Sequence, residues 1–326
     1  MLKLLKVFCF GGLNPAGEQS GGKMSAILLD GEAVAKKIKE GLKKEIEGFK
    51  AEGKELKLIA VQVGENAASR VYVNQQKKAC EEMGLKYELK ELPAATTEKE
   101  LLDFVEILNN DSSVTGIILQ MPLPKEINPK NIQVKISPKK DVEGLNPYNM
   151  GLLVYGKQVV APCTAMGAVE LLKSSGVELK GKEVVIIGHS EIVGKPILLL
   201  MLQSLTESPT PTVCHIATKD TPSHTKKADI VFVAVGKPGL VKAEMLKAGS
   251  IVIDIGINRV PALDAAGAQI IDEKSGRAKM KTVGDVDFEK AKEVCGMISP
   301  VPGGVGPLTV TMLIKNTVEC SKWQNN

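Results

Sequence analysis

The stretch VVIIGHSEIVGKP, Val184–Pro196, decides the fold. With Glu183 before it, the run EVVII (Glu183–Ile187) is a short, continuously apolar, β-branched segment, which reads as a strand buried on both faces. Gly188 then permits a tight turn, Ser190 can cap or donate, and Gly194 allows a following helix, Pro196–Leu205, to pack closely on the strand. A strand, a glycine turn and a helix N-terminus together place backbone N–H groups where a pyrophosphate can sit. The spacing departs from G-x-G-x-x-G, so a plain strand–turn–helix with no ligand competes at about even odds on this motif alone.

The segments downstream favour the ligand-binding reading. Thr212–His215, Ile230–Val235 and Ile251–Ile255 are further buried strands, and DIVFVAVGKPG (Asp229–Gly239) and IVIDIGIN (Ile251–Asn258) carry glycine at a strand's carboxyl edge. Ligands of open α/β sheets bind at that edge. Upstream, a similar alternation appears. Glu32–Lys50 has helical apolar spacing, Leu56–Val63 is a strand ended by Gly64, and Ala67–Met83 is a helix closed by Gly84. Tyr87–Leu92 and Gly116–Leu119 are strands flanking a helix that opens with the Thr97/Glu100 capping pattern. Pro307–Trp323 is a last apolar helix, long enough to pack back on the first unit. The expected fold class is α/β with two domains: an N-terminal α/β catalytic domain and a Rossmann-type parallel-sheet dinucleotide-binding domain. The expected boundaries are 24–162, completed by 303–326, and 163–302.

Length and composition fit this division. The 326 residues exceed one ordinary core, and 44% hydrophobic with 25% charged residues is globular composition. Aromatic residues are only 3%, and the lysines behind the net charge of +4 are spread among glutamates, which argues against a nucleic-acid surface. The six cysteines and three histidines lack C-x-x-C or metal-ligand spacing, so no disulfide framework and no metal site are expected, and a reducing, cytoplasmic setting follows. No run of about 18 apolar residues exists, so no membrane span is expected. Met1–Phe10 (MLKLLKVFCF) and the Gly-rich residues after it read as a disordered extension over 1–23, with a weak organellar targeting segment as the alternative.

Near the C-terminus, SPVPGGVGPLTV (Ser299–Val310) packs three prolines and three glycines before the last helix. Such a loop can present bare backbone to a ligand; a structural turn is the alternative, but a run this dense would be an odd way to make one. This run resembles the PVPGGVGPMT signature of the bifunctional methylenetetrahydrofolate dehydrogenase/methenyltetrahydrofolate cyclohydrolase family. Other hallmarks follow in family order: Asp30–Gly31, VGENAASRVYV (Val63–Val73), ILQMPLP (Ile118–Pro124), KDVEG (Lys140–Gly144), PCT (Pro162–Thr164), GHSEIVGKP, VIDIGIN and VGDVDF (Val283–Phe288).

The resemblance implies oxidation of 5,10-methylenetetrahydrofolate in a cleft between the domains, and a homodimer formed through the cofactor domains. It implies catalytic roles for Tyr72, Gln76, Gln120 and Glu143. Substrate contacts are expected from Ser69, Tyr72, Leu119, Gln120, Met121, Glu143 and the segment Pro300, Val301, Pro302, Gly303, Gly304, Val305, Gly306, Pro307 and Leu308. Contacts to NADP, with NAD a close alternative, are expected from Thr164, Gly188, His189, Ser190, Val193, Gly194, His215, Ala234, Val235, Gly236, Ile257 and Thr309.

Two departures from the family pattern bear on chemistry. The family's S-x-x-Y-V-x-x-K places its lysine where this chain has Gln76. Lys77 and Lys78 follow, but one helical step turns a side chain by about 100°, so neither is assumed to substitute. Glutamine can orient water yet cannot exchange a proton near neutrality, so the cyclohydrolase step is expected to be weak or absent while hydride transfer persists. The family's D-V-D-G is D-V-E-G here, which puts Glu143 at the acid expected to hold the pterin, longer by a bond of roughly 1.5 Å. Where NADP-using relatives hold the 2′-phosphate with Arg and Ser, this chain has His189 and Ile216. Cys163 reads as a small buried thiol rather than a nucleophile.

Overall fold

The computed structural model describes residues 25–65, 67–264, 267–272 and 276–325. The extension or targeting segment expected over 1–23 lies outside them. In chain order the elements are β1 (Ile27–Leu28), α1 (Gly31–Ala51), β2 (Lys57–Val63), α2 (Ala67–Met83), β3 (Lys86–Leu92), α3 (Glu98–Asn110), β4 (Gly116–Leu119), α4 (Pro129–Lys135) and α5 (Pro147–Val154). Then come α6 (Cys163–Ser174), β5 (Glu183–Ile187), α7 (Gly194–Met201), β6 (Thr210–Cys214), α8 (Thr221–Thr225), β7 (Ile230–Val233), β8 (Ile251–Asp254), β9 (Asn258–Pro261), β10 (Met280–Val283), α9 (Phe288–Ala291), β11 (Met297–Ile298) and α10 (Val305–Gln324).

The first lobe is a parallel sheet of order β3-β2-β4. One face packs on Leu42 and Ile46 of α1, Ala79 and Cys80 of α2, and Leu313, Ile314 and Val318 of α10. The other face packs on Leu101, Val105 and Leu108 of α3 and Ile132 of α4. This double cover explains why β2 is apolar almost throughout. Helix ends are set locally. Asp30 accepts from the Glu32 and Ala33 N–H groups at the start of α1, and the Thr97–Glu100 capping box is formed at α3.

The second lobe is a six-stranded parallel sheet of order β1-β11-β8-β7-β5-β6. From β5 the chain runs outward to β6 and then returns to the other side at β7, so the strand order reverses between β5 and β7. Crevices at such reversals are where open α/β sheets bind ligands. Ile27–Leu28 joins this sheet beside β11, so the chain's first described strand belongs to the second lobe, whereas the sequence reading grouped it with the first. A strand of two residues has too little periodicity to be assigned by pattern. An antiparallel pair, β9–β10, projects from this lobe.

Candidate active site

A cavity of about 300 Å³ opens at the carboxyl end of β4. It is lined by Ser69 and Tyr72 of α2, Ile118 and Leu119 of β4, Gln120 and Met121 just beyond it, and Glu143. Helix α2 brings Ser69, Tyr72 and Gln76 to one face because they are three and four residues apart. Gln76 is fully buried behind the lining. Its Oε1 accepts from Gln120 Nε2 at 2.8 Å and from the Tyr87 hydroxyl at 3.0 Å, while its own Nε2 has no partner. Lys77 and Lys78 point outward, exposed and paired with Glu81 and Glu82 at 3.9 and 3.8 Å. Neither lysine takes the place that Gln76 fills.

The site is acidic and poorly solvated. Burial, with Asp141 nearby, pushes the Glu143 carboxyl up to about 8, against one opposing bond from the Leu119 N–H at 3.3 Å. At neutral pH Glu143 is therefore mostly protonated. Asp141 is also raised by burial, although it accepts from the Asn146 N–H and Asn149 Nδ2. Burial and the charges of Cys163 and Glu143 hold the Tyr72 phenol above its ordinary range, an effect opposed by Gln76. Tyr72 is thus a hydroxyl donor, with 36% of its surface open. Cys163, at the start of α6, is held well above the usual thiol range by burial, then by Glu143 and Asp141; its Sγ donates to the Val142 carbonyl. That environment suits a packed thiol and disfavours a thiolate nucleophile.

The second part of the site is the reversal point of the large sheet. Gly188 follows β5 with φ of 109°, and a Cβ there would lie 2.2 Å from the Ala234 carbonyl oxygen. A Cβ on Gly194 would lie 2.0 Å from the Gly188 oxygen. Both glycines are therefore required for the chain to turn and for α7 to approach. The Ser190 hydroxyl accepts the Val193 N–H, and α7 starts without a side-chain cap. His189 and Ser190 are exposed on the turn. The His189 ring meets His215, just past β6, edge to face with centroids 4.9 Å apart. Ile216 is fully exposed. Gly236, after β7, has φ of 67° and open space where a Cβ would stand. An uncapped helix start, a turn bounded by Gly188 and Gly194, and exposed imidazoles form a donor set that fits a dinucleotide's phosphates.

Several residues expected at ligands sit elsewhere. Val305 and Leu308 are buried in the core between α6, α7 and the large sheet, and Val193 joins them. Apolar side chains at the first turn of α10 are drawn into packing, where burial stabilises them most. Pro300 and Val301 face a different, larger cavity of about 840 Å³, shared with Pro238, Lys242, Phe288 and the β9–β10 pair. The bare backbone of Gly303 and Gly304 is spent largely on α1: the Gly31 N–H donates to the Gly303 oxygen, and a Cβ on Gly31 would lie 1.7 Å from the Gly304 oxygen. The paired glycines of Asp30–Gly31 and the C-terminal loop are thus a close backbone contact. Thr164 and Thr309 are half-buried near the first turns of α6 and α10, and Ile257 is exposed ahead of β9.

Three residues that pattern reading passed over support this geometry. Tyr87 holds Gln76 from β3. Asp285 is fully buried and accepts from the Val235 and Gly236 N–H groups at 2.7 and 2.9 Å and from Asn258 Nδ2, which fixes the turn after β7. Asn316 of α10 donates to the Val142 and Ala161 carbonyls at 2.8 and 2.9 Å, tying the last helix to both ends of the segment between the lobes. For Asp285 and Asn316 a buried polar side chain with two backbone partners was the available signal, but the partners are distant in sequence. Among the described residues no cluster of three or more metal-ligating side chains occurs, no helix is long and apolar enough to cross a membrane, and the five cysteines are free.

Two parallel-sheet lobes, a polar cavity on one and a glycine turn at the strand reversal of the other, define a two-domain dinucleotide-dependent enzyme class. Residues 29–143 match the family model described as the tetrahydrofolate dehydrogenase/cyclohydrolase catalytic domain, and residues 162–325 match its NAD(P)-binding domain. The chain belongs to the tetrahydrofolate dehydrogenase/cyclohydrolase family. It is 44% identical over 295 residues to bifunctional protein FolD of Nautilia profundicola, covering 90% of this chain and 97% of that one. It is 46% identical over 299 residues to FolD of Bacillus pumilus, covering 92% and 99%. Among solved structures it resembles FolD of Campylobacter jejuni, with TM-score 0.83, 42% identity, and coverage of 92% and 100%. It also resembles the Trypanosoma brucei enzyme complexed with NADP and an inhibitor, with TM-score 0.82, 36% identity, and coverage of 93% and 99%.

Proposed function

We propose that this protein oxidises 5,10-methylenetetrahydrofolate to 5,10-methenyltetrahydrofolate, and that it hydrolyses the methenyl product poorly. The observation that carries the second half is Gln76, whose buried amide sits behind the cavity wall, hydrogen-bonded to Gln120 of the lining, while both neighbouring lysines lie at the surface. Opening the methenyl ring moves protons at each stage, and an amide cannot relay them. Losing positioned acid–base help costs about 10²–10⁴-fold. Hydride transfer needs chiefly a fixed approach of two carbons. The bound dinucleotide supplies the hydride acceptor. The chain's part is to orient the reduced pterin: Tyr72 donates its hydroxyl, Gln120 contributes an amide, and Glu143 accepts from the N–H donors of the pterin edge once ionised.

The cofactor preferred is NADP, with NAD second. Support comes from the exposed His189–His215 pair beside the glycine turn, which offers N–H donors to a 2′-phosphate where Ile216 cannot. A homodimer is supported by exposed Ile257, Leu263, Ile270, Ile271 and Met280 on and around the β9–β10 pair, a patch that a second copy would cover. Free cysteines agree with a reducing, cytoplasmic compartment.

A second reading keeps hydrolysis. It draws on Glu143, whose carboxyl near 8 can exchange protons at working pH. Initial rates of methylene-folate oxidation with NADP and with NAD test the dehydrogenase and its cofactor. Turnover with neither would reject the proposal.

A further inference from the structure

The motifs IVIDIGIN and VGDVDF meet through two buried carboxyl groups, Asp254 and Asp285. Asp254 Oδ1 accepts the Gly256 and Asp285 N–H groups at 2.9 and 3.0 Å, and its Oδ2 accepts the Val286 N–H at 2.9 Å. A Cβ on Gly284 would lie 1.9 Å from Asp254 Oδ2, and one on Gly256 would lie 2.2 Å from Asp285 Cγ, so glycine at both positions makes room for the carboxyls. Asp285 is thereby held against the turn after β7. Its Oδ2 accepts the Val235 and Gly236 N–H groups at 2.7 and 2.9 Å, and its Oδ1 accepts Asn258 Nδ2 at 2.8 Å. The Ala234 N–H donates to the Ile187 oxygen, so three consecutive N–H groups of this turn are committed inside the protein. The backbone of Ala234–Gly236 therefore offers a ligand acceptors only. The turn also abuts the glycine turn after β5, since a Cβ on Gly188 would lie 2.2 Å from the Ala234 oxygen. Strands β6 and β7 flank β5 on opposite sides. With the pyrophosphate on the Gly188 turn and the adenine half toward the end of β6, the nicotinamide half falls on the β7 side. That half brings ribose hydroxyls and a carboxamide NH2 as donors.

We propose that Asp285 is a positioning residue for the nicotinamide half of the cofactor: it draws the Val235 and Gly236 N–H groups inward, so that the β7 turn meets the ligand as an acceptor surface of fixed shape. This rests on the dinucleotide reading given above. Asp285 is fully buried and acts only through the turn. The two turns of the crevice thereby divide the cofactor, donors at Gly188 for its phosphates and acceptors at Gly236 for its nicotinamide half.

The test compares Asp285→Ala and Asp285→Asn with the parent as full chains. Affinities for NADPH and NADH, and for ADP as a probe of the adenine half alone, are read by titration. KM for methylene-folate is read by rate at saturating dinucleotide, and integrity by thermal unfolding. Asp285→Ala is expected to weaken binding of the reduced dinucleotide about tenfold, the worth of two hydrogen bonds to the turn, and to change ADP affinity and methylene-folate KM less than about twofold. Asp285→Asn keeps an acceptor for the turn and is expected to recover dinucleotide affinity to within about threefold of the parent. Equal weakening of dinucleotide and ADP, a lower melting temperature with unchanged dinucleotide affinity, or an Asn variant no better than Ala would overturn the inference. Should Asp285→Ala fail to fold, Asn258→Ala carries the test, because it removes one bond to Asp285 and spares those to the turn. A two- to threefold loss of dinucleotide affinity is then expected, and no loss would overturn the inference. A parent that binds neither dinucleotide would overturn this inference and the dinucleotide reading together; the other contrary results would overturn this one alone.

Discussion

The side chain of Glu143 shows how environment sets chemistry at a single residue. Desolvation beside Asp141 pushes its carboxyl up to about 8, so the folded state favours the protonated form. A carboxyl raised on folding stabilises the fold below its unfolded value and loses that contribution as pH rises from the ordinary carboxylate range through about 8. Glu143→Gln, which mimics the neutral form, is therefore expected to raise the melting temperature relative to the parent at pH 9 and to change it little at pH 5. Thermal unfolding at the two pH values checks this. Binding runs the other way: a pterin's N–H donors need the carboxylate, so the parent's KM for methylene-folate should fall as pH rises through about 8, and the fall should vanish in Glu143→Gln. His189 is the residue to change for cofactor choice. His189→Ala should lower the NADP-to-NAD ratio of kcat/KM by about threefold or more, the loss of one charge-assisted contact. An unchanged ratio would remove the imidazole pair from 2′-phosphate recognition.

Elements deliver these side chains, and what was legible of them in sequence depended on how local their causes are. The β5–turn–α7 unit was legible in outline because glycine at a turn and a buried apolar strand are properties of neighbouring residues, although the helix, expected over Pro196–Leu205, spans Gly194–Met201. Gly188→Ala should destabilise the fold by more than about 2 kcal/mol, since it combines φ of 109° with an approach of 2.2 Å to the Ala234 oxygen; its unfolding midpoint and dinucleotide affinity should fall together. Helix α6 was not legible. Its buried Ala165, Ala168, Val169, Leu171 and Leu172 spread round the helix because α10 and the large sheet press on it from different sides. The same crowding moved Val305 and Leu308 from expected ligand contacts into the core. Of the lining of the cavity at β4, Ser69, Tyr72, Gln120 and Glu143 were legible through the family pattern. Tyr87 and Asn316 were not: Tyr87 meets Gln76 only through the pairing of a strand with a helix, and the partners of Asn316 lie far along the chain. Asn316→Leu would take the amide donor from the Ala161 carbonyl and leave the Val142 carbonyl only the weak Cys163 thiol donor, and should cost about 2–3 kcal/mol, read by denaturant unfolding.

At the scale of the whole molecule, two sheets built from the same alternation are joined three times: through β1–α1, through α6, and through α10, which starts against the large sheet and ends against the small one. These connections keep the cavity at β4 and the glycine turn in one frame while β9–β10 leaves apolar side chains exposed. Ile271→Asp should shift the protein toward monomer in sedimentation velocity at micromolar concentration; an unchanged dimer, or a monomeric parent, would place the self-association surface elsewhere or remove it.

Gln76 in place of the family lysine is proposed to separate methylene-folate oxidation from methenyl-folate hydrolysis. Both rates, measured on the same preparations of the parent and Gln76→Lys, decide this. Steady oxidation by the parent with hydrolysis barely above the uncatalysed rate is expected, with at least about a tenfold gain in hydrolysis for Gln76→Lys. Fast hydrolysis by the parent, unaffected by the substitution, would contradict it.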